Sequence, residues 1–232
     1  MNHLLIAVLV AVFSAMMVLG NDDPTARDAL CKHVRFCPWS AHAGAINRIL
    51  YDIGIGGVVS LVFYLLLVTL PEYRKRRRIK RSLEKHYRMF KRDCIQSMLA
   101  VVDGTYDFDT VDALVEQARF RDYFNQPISD SQDRWHALMN NLDEYHLHEI
   151  LIALEVFRDE VLFALNNTDI ADDKAFEFFK RLSGIIYSIK DTQLGYDETK
   201  PFFNFLYDVF AGFSIVTGYR QEDIVERTIR AI

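Results

Sequence analysis

Two long apolar runs stand out along the chain, and both lie in its N-terminal third. The second run, residues 49–70, is long enough for a helix to cross about 30 Å of hydrocarbon, which takes about 20 residues. The first run, residues 4–20, lies at the lower limit for a membrane span and at the upper end for a signal peptide. The pattern therefore predicts a transmembrane helix over residues 49–70, with residues 1–20 as a signal peptide or a first transmembrane helix.

Features of residues 1–20 support each alternative. The run ends in Gly20 just before Asn21, as a signal-peptidase site requires, yet the leader before residue 4 has no Lys or Arg. Ala7, Ala11 and Ala15 recur at every fourth position, which suits packing against another membrane helix. Both alternatives leave residues 21–48 as a short extracytoplasmic segment.

After the second run, apolar positions recur at every third or fourth residue, which is the period of an amphipathic helix. The pattern predicts helices over about 79–102, 109–124, 129–166, 175–189, 198–217 and 221–231. The third of these has one apolar stripe and either continues to Asn166 or breaks at Asn140-Asn141, and Gly218 is expected to end the fifth. No segment shows sustained strand alternation. The predicted fold class is all-α: an N-terminal transmembrane helix, or helices, followed by a cytoplasmic antiparallel helical bundle.

Charge divides the chain after the second apolar run. Residues 72–92 hold eleven Lys and Arg against two Glu, whereas residues 93–232 hold twelve Lys and Arg against twenty-six Asp and Glu. Segment 71–92 is thus the basic juxtamembrane start of a helix, and segment 93–232 is an acidic helical domain. The densest part of the basic segment 71–92 is called the basic collar. It consists of Arg74, Lys75, Arg76, Arg77, Arg78, Lys80 and Arg81.

The basic collar fixes the expected orientation, because Lys and Arg next to a membrane helix stay on the cytoplasmic side. Residues 72–232 are therefore expected in the cytoplasm, with the protein in a plasma or inner membrane. The collar should also attract anionic lipid headgroups at about 1 kcal/mol per charge. Nucleic acid is disfavoured as a partner, because the collar abuts the membrane and the attached domain is acidic.

The three cysteines fall on both sides of the predicted membrane helix. Cys31 and Cys37 lie in the external segment, where an oxidising compartment permits a disulfide between them, and two free thiols are the alternative. Cys94 lies on the cytoplasmic side in an apolar helical register. It is expected to behave as a small buried hydrophobe.

Asp52, Gly56 and Ser60 share one face of the predicted membrane helix, at every fourth position. Small residues let helix backbones approach closely in lipid. This face is therefore a candidate packing face, used either for self-association or as the contact with residues 4–20.

Three polar residues of the acidic domain bear on possible chemistry. His146 and His148 point about 200° apart on a helix and cannot share a metal ion, so His146 is expected to be a hydrogen-bonded core residue. Asp208 interrupts an apolar helix and is expected at the bundle edge or paired with a basic residue. No catalytic motif is found, and neither a metal nor a cofactor is expected.

These patterns favour a non-enzymatic membrane protein. Its cytoplasmic helical module would bind a protein partner or another copy of the chain as a homo-oligomer, and its other contacts would be the lipid bilayer and anionic headgroups. The alternative is a membrane-active effector whose N-terminal apolar segments assemble in the bilayer under control of the cytoplasmic domain. A third hypothesis is an enzyme with a site built from scattered carboxylates and histidines in the bundle core.

Overall fold

The computed structural model describes residues 3–20, 44–129, 131–195, 197–214, 216 and 218–232. Cys31 and Cys37 lie outside the described residues. The chain forms two compact units, Met1–Arg74 and Lys75–Ile232. Most of the described chain is helical, so the all-α fold class is confirmed.

The described residues of the first unit form two packed helices and the start of a third. Helix α1 spans His3–Gly20, α2 spans Gly44–Tyr64, a π-helical turn covers Leu65–Thr69, and α3 begins at Leu70. Helix α1 packs along α2. Within the described residues, one helical stretch, Tyr51–Asp103, contains a window long and apolar enough to cross a membrane, and 11% of that window is buried.

The second unit holds the remaining elements, which are short helices and two small hairpins around a few long helices. In chain order they are α3 to its end at Asp103, α4 (Phe108–Leu114), α5 (Gln117–Phe124), β1 (Pro127–Ser129), β2 (Gln132–Asp133), α6 (Arg134–Asn141), α7 (Glu144–Asn167), α8 (Asp173–Ile189), α9 (Thr199–Ala211), β3 (Phe213–Ser214), β4 (Gly218–Tyr219) and α10 (Ile224–Ala231). Each pair of short strands is antiparallel.

Aspartates begin most helices of the second unit. Each aspartate accepts a hydrogen bond from a backbone N–H two or three residues later, at the start of α4, α6, α7, α8 or α10. An N-terminal turn leaves such donors unsatisfied, and an acidic side chain also interacts favourably with the helix dipole there. The aspartates concerned are Asp107, Asp133, Asp143, Asp172 and Asp223. Part of the acidity of this unit therefore specifies where helices start.

Aromatic side chains dominate the core of the second unit. Phe90 on α3 stacks on Phe157 of α7 with ring centroids 5.2 Å apart, and Phe210 of α9 lies 5.5 Å from Phe90. Phe120 and Phe124 of α5 stack at 4.4 Å, and the Phe120 ring lies 5.3 Å from Phe210 of α9. Such ring pairs contribute about 0.5–1.5 kcal/mol each beyond their burial. Together these contacts join α3, α5, α7 and α9 around one core.

Two helix boundaries differ from those predicted, and for a third the structure shows one of the two predicted alternatives. The helix expected over residues 109–124 is two helices, α4 and α5, because the chain is extended at Glu116 (ψ 122°). The helix expected over residues 129–166 breaks after Asn141, which was one of the two alternatives. The helix expected to reach residue 217 ends at Ala211, because Gly212 adopts a left-handed conformation (φ 67°) that ends helices.

Candidate interaction surfaces

The basic collar divides into exposed and engaged residues. Arg74, Lys75, Arg77, Arg78 and Arg81 are exposed. The Arg76 Nε donates to the carbonyl oxygen of Ile232, and the Lys80 Nζ donates to that of Arg230 at 2.5 Å. The last carbonyls of a helix have no partner within the helix and carry partial negative charge, so cations suit this position. Two of the seven collar residues thus hold the end of α10.

The contact between α1 and α2 runs through two glycines. A Cβ atom added to Gly54 would lie 2.6 Å from the Cγ of Met17, and one added to Gly57 would overlap the ring of Phe13. Only glycine therefore allows these two helices to approach so closely. The expected contact face is different, and α1 does not cover it.

The predicted packing face, Asp52, Gly56 and Ser60, is exposed on α2. A Cβ atom added to Gly56 would meet nothing within 4 Å. The interpretation of this face as the contact with residues 4–20 is therefore wrong, since Gly54 and Gly57 form that contact. Its interpretation as a self-association face stays a prediction.

A buried polar cluster joins α3 to the start of α10. The Lys91 ammonium lies 3.0 Å from the Asp223 Oδ2, and the Tyr87 hydroxyl donates to the same oxygen at 2.8 Å. The other carboxylate oxygen accepts the backbone N–H groups of Val225 and Glu226. Burial, and then the Asp223 carboxylate, raise the pKa of Tyr87 well above its usual value. Every oxygen of Asp223 is therefore committed to holding α10 on α3.

A cavity of about 620 Å³ lies beside this cluster and is lined by side chains of both charges. Some of the side chains that line it pair with one another, including Arg92 with Asp112 at 3.0 Å and Arg230 with Glu226 at 3.3 Å. Four basic and five acidic side chains line the cavity, so its wall does not present a single sign of charge.

His146 and His148, the two histidines near the start of α7, lie away from the core. His146 is one-fifth exposed, and its Nδ1 lies 2.9 Å from the carboxylate of Asp143 at the start of α7. The hydrogen bond of His146 was expected, but its predicted place in the core was wrong, because His146 lies in the first turn of α7 beside the N-cap Asp143. His148 is exposed. In the described part of the chain, no three His, Cys, Asp or Glu side chains form a group that could hold a metal ion.

Two other polar positions agree with their predictions. Cys94 is fully buried, and burial raises the pKa of its thiol well above the usual value. Asp208 forms an ion pair with Arg220 at 2.9 Å. Burial raises the pKa of Asp208, and Arg220 opposes that effect.

One surface was missed by the sequence analysis. Four large apolar side chains of α7 are exposed on the face opposite the core, and we call them the outer stripe: Tyr145, Ile152, Val156 and Phe163. They recur at helical spacing, as do the apolar residues of α7 that are buried in the core. This second apolar series, on the opposite face of the same helix, is the sequence signal that could have predicted the outer stripe.

Comparisons with known proteins give no relative for this chain. No family model matches it, and neither a curated protein nor a solved structure shows significant similarity.

Proposed function

We propose that this chain is a membrane-anchored protein whose cytoplasmic helical module, residues 72–232, binds another protein. One observation carries the proposal: the two units distribute their apolar side chains in opposite ways. In the first unit, large apolar side chains point outward, and in the second unit most of them form a closed core.

The exposed apolar surface of α2 and the turn that follows supports the membrane anchor. Ile53, Phe63 and Leu67 are 49%, 57% and 70% exposed, and other apolar side chains of the same helix are exposed with them. Burying such side chains away from water is worth about 1.5–3 kcal/mol each. Hydrocarbon supplies that burial without a protein partner, and a helix satisfies its own backbone groups within it.

The close contact of α1 with α2 supports a retained first helix over residues 1–20. In this arrangement α1 and α2 both cross the bilayer, residues 21–48 lie outside, and the basic collar lies on the cytoplasmic leaflet. The five exposed collar residues then interact with anionic headgroups. The acidic second unit is repelled by such a surface, which leaves it accessible to a protein partner.

Membrane extraction and topology test the anchor. We expect the full-length protein to stay with membranes in alkaline carbonate, and its C-terminal unit to be digested in inverted vesicles and protected in intact cells. N-terminal sequencing is expected to start at or near Met1. Release by carbonate, or digestion of the C-terminal unit in intact cells, contradicts the proposal.

In-cell crosslinking tests the binding module. A photo-reactive amino acid introduced at exposed positions of the second unit is expected to capture a distinct protein at some of them. Capture of neither a partner nor a second copy at any position would remove the proposed function.

A second candidate is a membrane-active effector that assembles in the bilayer. It is favoured by the exposed face of Asp52, Gly56 and Ser60, which stays free when α1 occupies the other side of α2. Overexpression followed by a membrane-potential dye distinguishes the two functions. Depolarisation that Gly56→Leu abolishes would favour the effector over the anchored binding module.

A further inference from the structure

We propose that the outer stripe of α7 is the docking site for a basic amphipathic helix of a partner protein. The inference rests on the proposed function, because it names the kind of partner that the cytoplasmic module binds.

The outer stripe runs straight along α7. Successive helix positions turn by 100°, which places Tyr145, Ile152, Val156 and Phe163 within about 20° of one line. These side chains are 67%, 42%, 55% and 50% exposed. The first and last are 18 positions apart, or about 27 Å along the axis. A partner helix of about five turns covers this length.

Helix α7 is apolar on two opposite faces. Its inner face buries Leu147, Ile150, Leu154, Phe157 and Val161 in the core. A helix that is apolar on both sides is ordinarily covered on both sides. In the described part of the chain, the second unit leaves the outer face open, and an exposed patch of this kind marks an interaction site.

Carboxylates flank the outer stripe on both sides. Glu149 lies on one side, Glu155 and Asp159 lie on the other, and all three are exposed. The one Lys or Arg of α7 is Arg158, whose guanidinium lies 5.0 Å from the centre of the Tyr187 ring on α8 and 3.7 Å from Asp159. Arg158 therefore offsets part of the charge of Asp159, and the surface around the outer stripe stays acidic through Glu149 and Glu155. A partner with Lys or Arg beside its own apolar stripe matches this surface, in the helix-in-groove mode of peptide recognition.

A cleft at the N-terminal end of the outer stripe adds a pocket for a cation. It measures about 260 Å³ and is lined by Asp93 of α3 together with Tyr145 and Glu149 of α7. Within the described chain neither carboxylate forms an ion pair within 4 Å: the neighbouring Arg92 pairs with Asp112, and His146, which also lines the cleft, pairs with Asp143. Burial raises the pKa of Asp93 despite the nearby Arg92, so an added cation would relieve an unfavourable charge.

The same charges disfavour the other occupants of this surface. A second copy docking α7 on α7 would place acidic flanks against acidic flanks, and like charges across an interface are costly. An anionic bilayer would also repel them. A basic helix gains from both the stripe and its flanks.

Peptide binding to the full-length protein tests the inference. The protein is placed in nanodiscs of zwitterionic phosphatidylcholine, which do not attract a basic peptide. Three labelled 18-residue peptides are titrated by fluorescence anisotropy: one with a Leu stripe flanked by Lys, one with Glu in place of Lys, and one with the Leu and Lys order scrambled. We expect the first to bind at least tenfold more tightly than either of the others.

Two variants separate the apolar and the charged contributions. Ile152→Ser with Val156→Ser is expected to weaken binding at least tenfold, because two aliphatic side chains lose their burial. Glu149→Gln with Asp159→Asn keeps the apolar stripe and is expected to weaken binding about three- to tenfold and to reduce its salt dependence. The matched control removes exposed apolar side chains outside α7, at Ile128 and Val216, and is expected to bind like the wild type.

The outcomes are decisive in each arm. Equal binding of the three peptides, no binding of the Lys peptide, or unchanged affinity in the Ile152→Ser/Val156→Ser variant would overturn the docking site. A lower oligomeric state of that variant without peptide would make the stripe a self-association surface instead. A partner captured in cells through other positions would leave the proposed function standing while the docking site fails.

Discussion

Replacing Asp223 by Asn tests how strongly the buried cluster holds α10 on α3. Asn keeps an oxygen for capping the helix, so the N-cap is retained. The side chain loses its charge, and Lys91, 1% exposed, is left with a buried ammonium and no counter-ion. Removing one partner of a buried pair costs about 3–5 kcal/mol.

The reciprocal change is expected to cost less. Lys91→Met removes the ammonium, while the Asp223 carboxylate keeps its hydrogen bonds from Tyr87, Val225 and Glu226. The loss is then one hydrogen bond to a charged group, about 1.5–3 kcal/mol. The double variant leaves no ammonium unpaired, so it should be more stable than Asp223→Asn alone by about 1–3 kcal/mol.

Urea titration of the full-length protein in a non-ionic detergent measures these differences. The fluorescence of buried Trp135 reports unfolding of the second unit, in a Trp39→Phe background. A thermal scan should agree, at about 2–4 °C for each kcal/mol in a domain of this size. The reasoning fails if Asp223→Asn lies within 1 kcal/mol of the wild type, or if adding Lys91→Met does not recover stability.

Three further predictions concern single side chains. Gly57→Leu should separate α1 from α2 at a cost of about 1–3 kcal/mol, whereas Gly56→Leu should leave the two helices in contact. Disulfide crosslinking between cysteines introduced on the two helices would measure this difference. Cys94 should resist labelling by maleimide in the folded protein and react fully in urea, because its thiol is buried. Mass spectrometry of a variant whose other cysteines are replaced by Ser measures the labelling. Rapid labelling without urea would contradict the burial of Cys94. Because folding raises the pKa of Tyr87, the unfolded chain loses the hydroxyl proton first as the pH rises, and the free energy of unfolding should fall above about pH 10. In urea titrations, Tyr87→Phe should reduce this pH dependence by up to about 1.4 kcal/mol per pH unit. An unchanged pH dependence would refute the assignment.

Helical periodicity predicted most of the fold because local pattern decides where amphipathic helices form. The long helix ending at Asp103 and the helix ending at Ile189 both follow the predicted apolar faces. The predicted end of α9 at residue 217, six residues too late, has a physical origin. Phe213 continues the apolar spacing of α9 although the backbone has already turned at Gly212 into the strand β3. The spacing therefore favoured Gly218 as the residue that ends the helix.

The interaction surfaces were predictable only in part. The composition of the basic collar follows from the sequence alone, but its division does not. Arg76 and Lys80 contact carbonyl groups about 150 positions later in the chain, at Ile232 and Arg230. Such pairings depend on how distant helices pack, which local periodicity does not encode. The same limit applies to the outer stripe, since the sequence shows two apolar faces without showing which is covered.

The position of Ile232 affects how the protein can be labelled. Its side chain is buried, and its carbonyl oxygen accepts a hydrogen bond from Arg76, so a fluorescent protein inserted at this position would lie next to α3 and disturb this contact. The exposed connection between Gly104 and Thr105 is a better insertion point, because it follows the end of α3 and precedes the Asp107 cap of α4. A reporter placed there leaves the last turn of α10 intact.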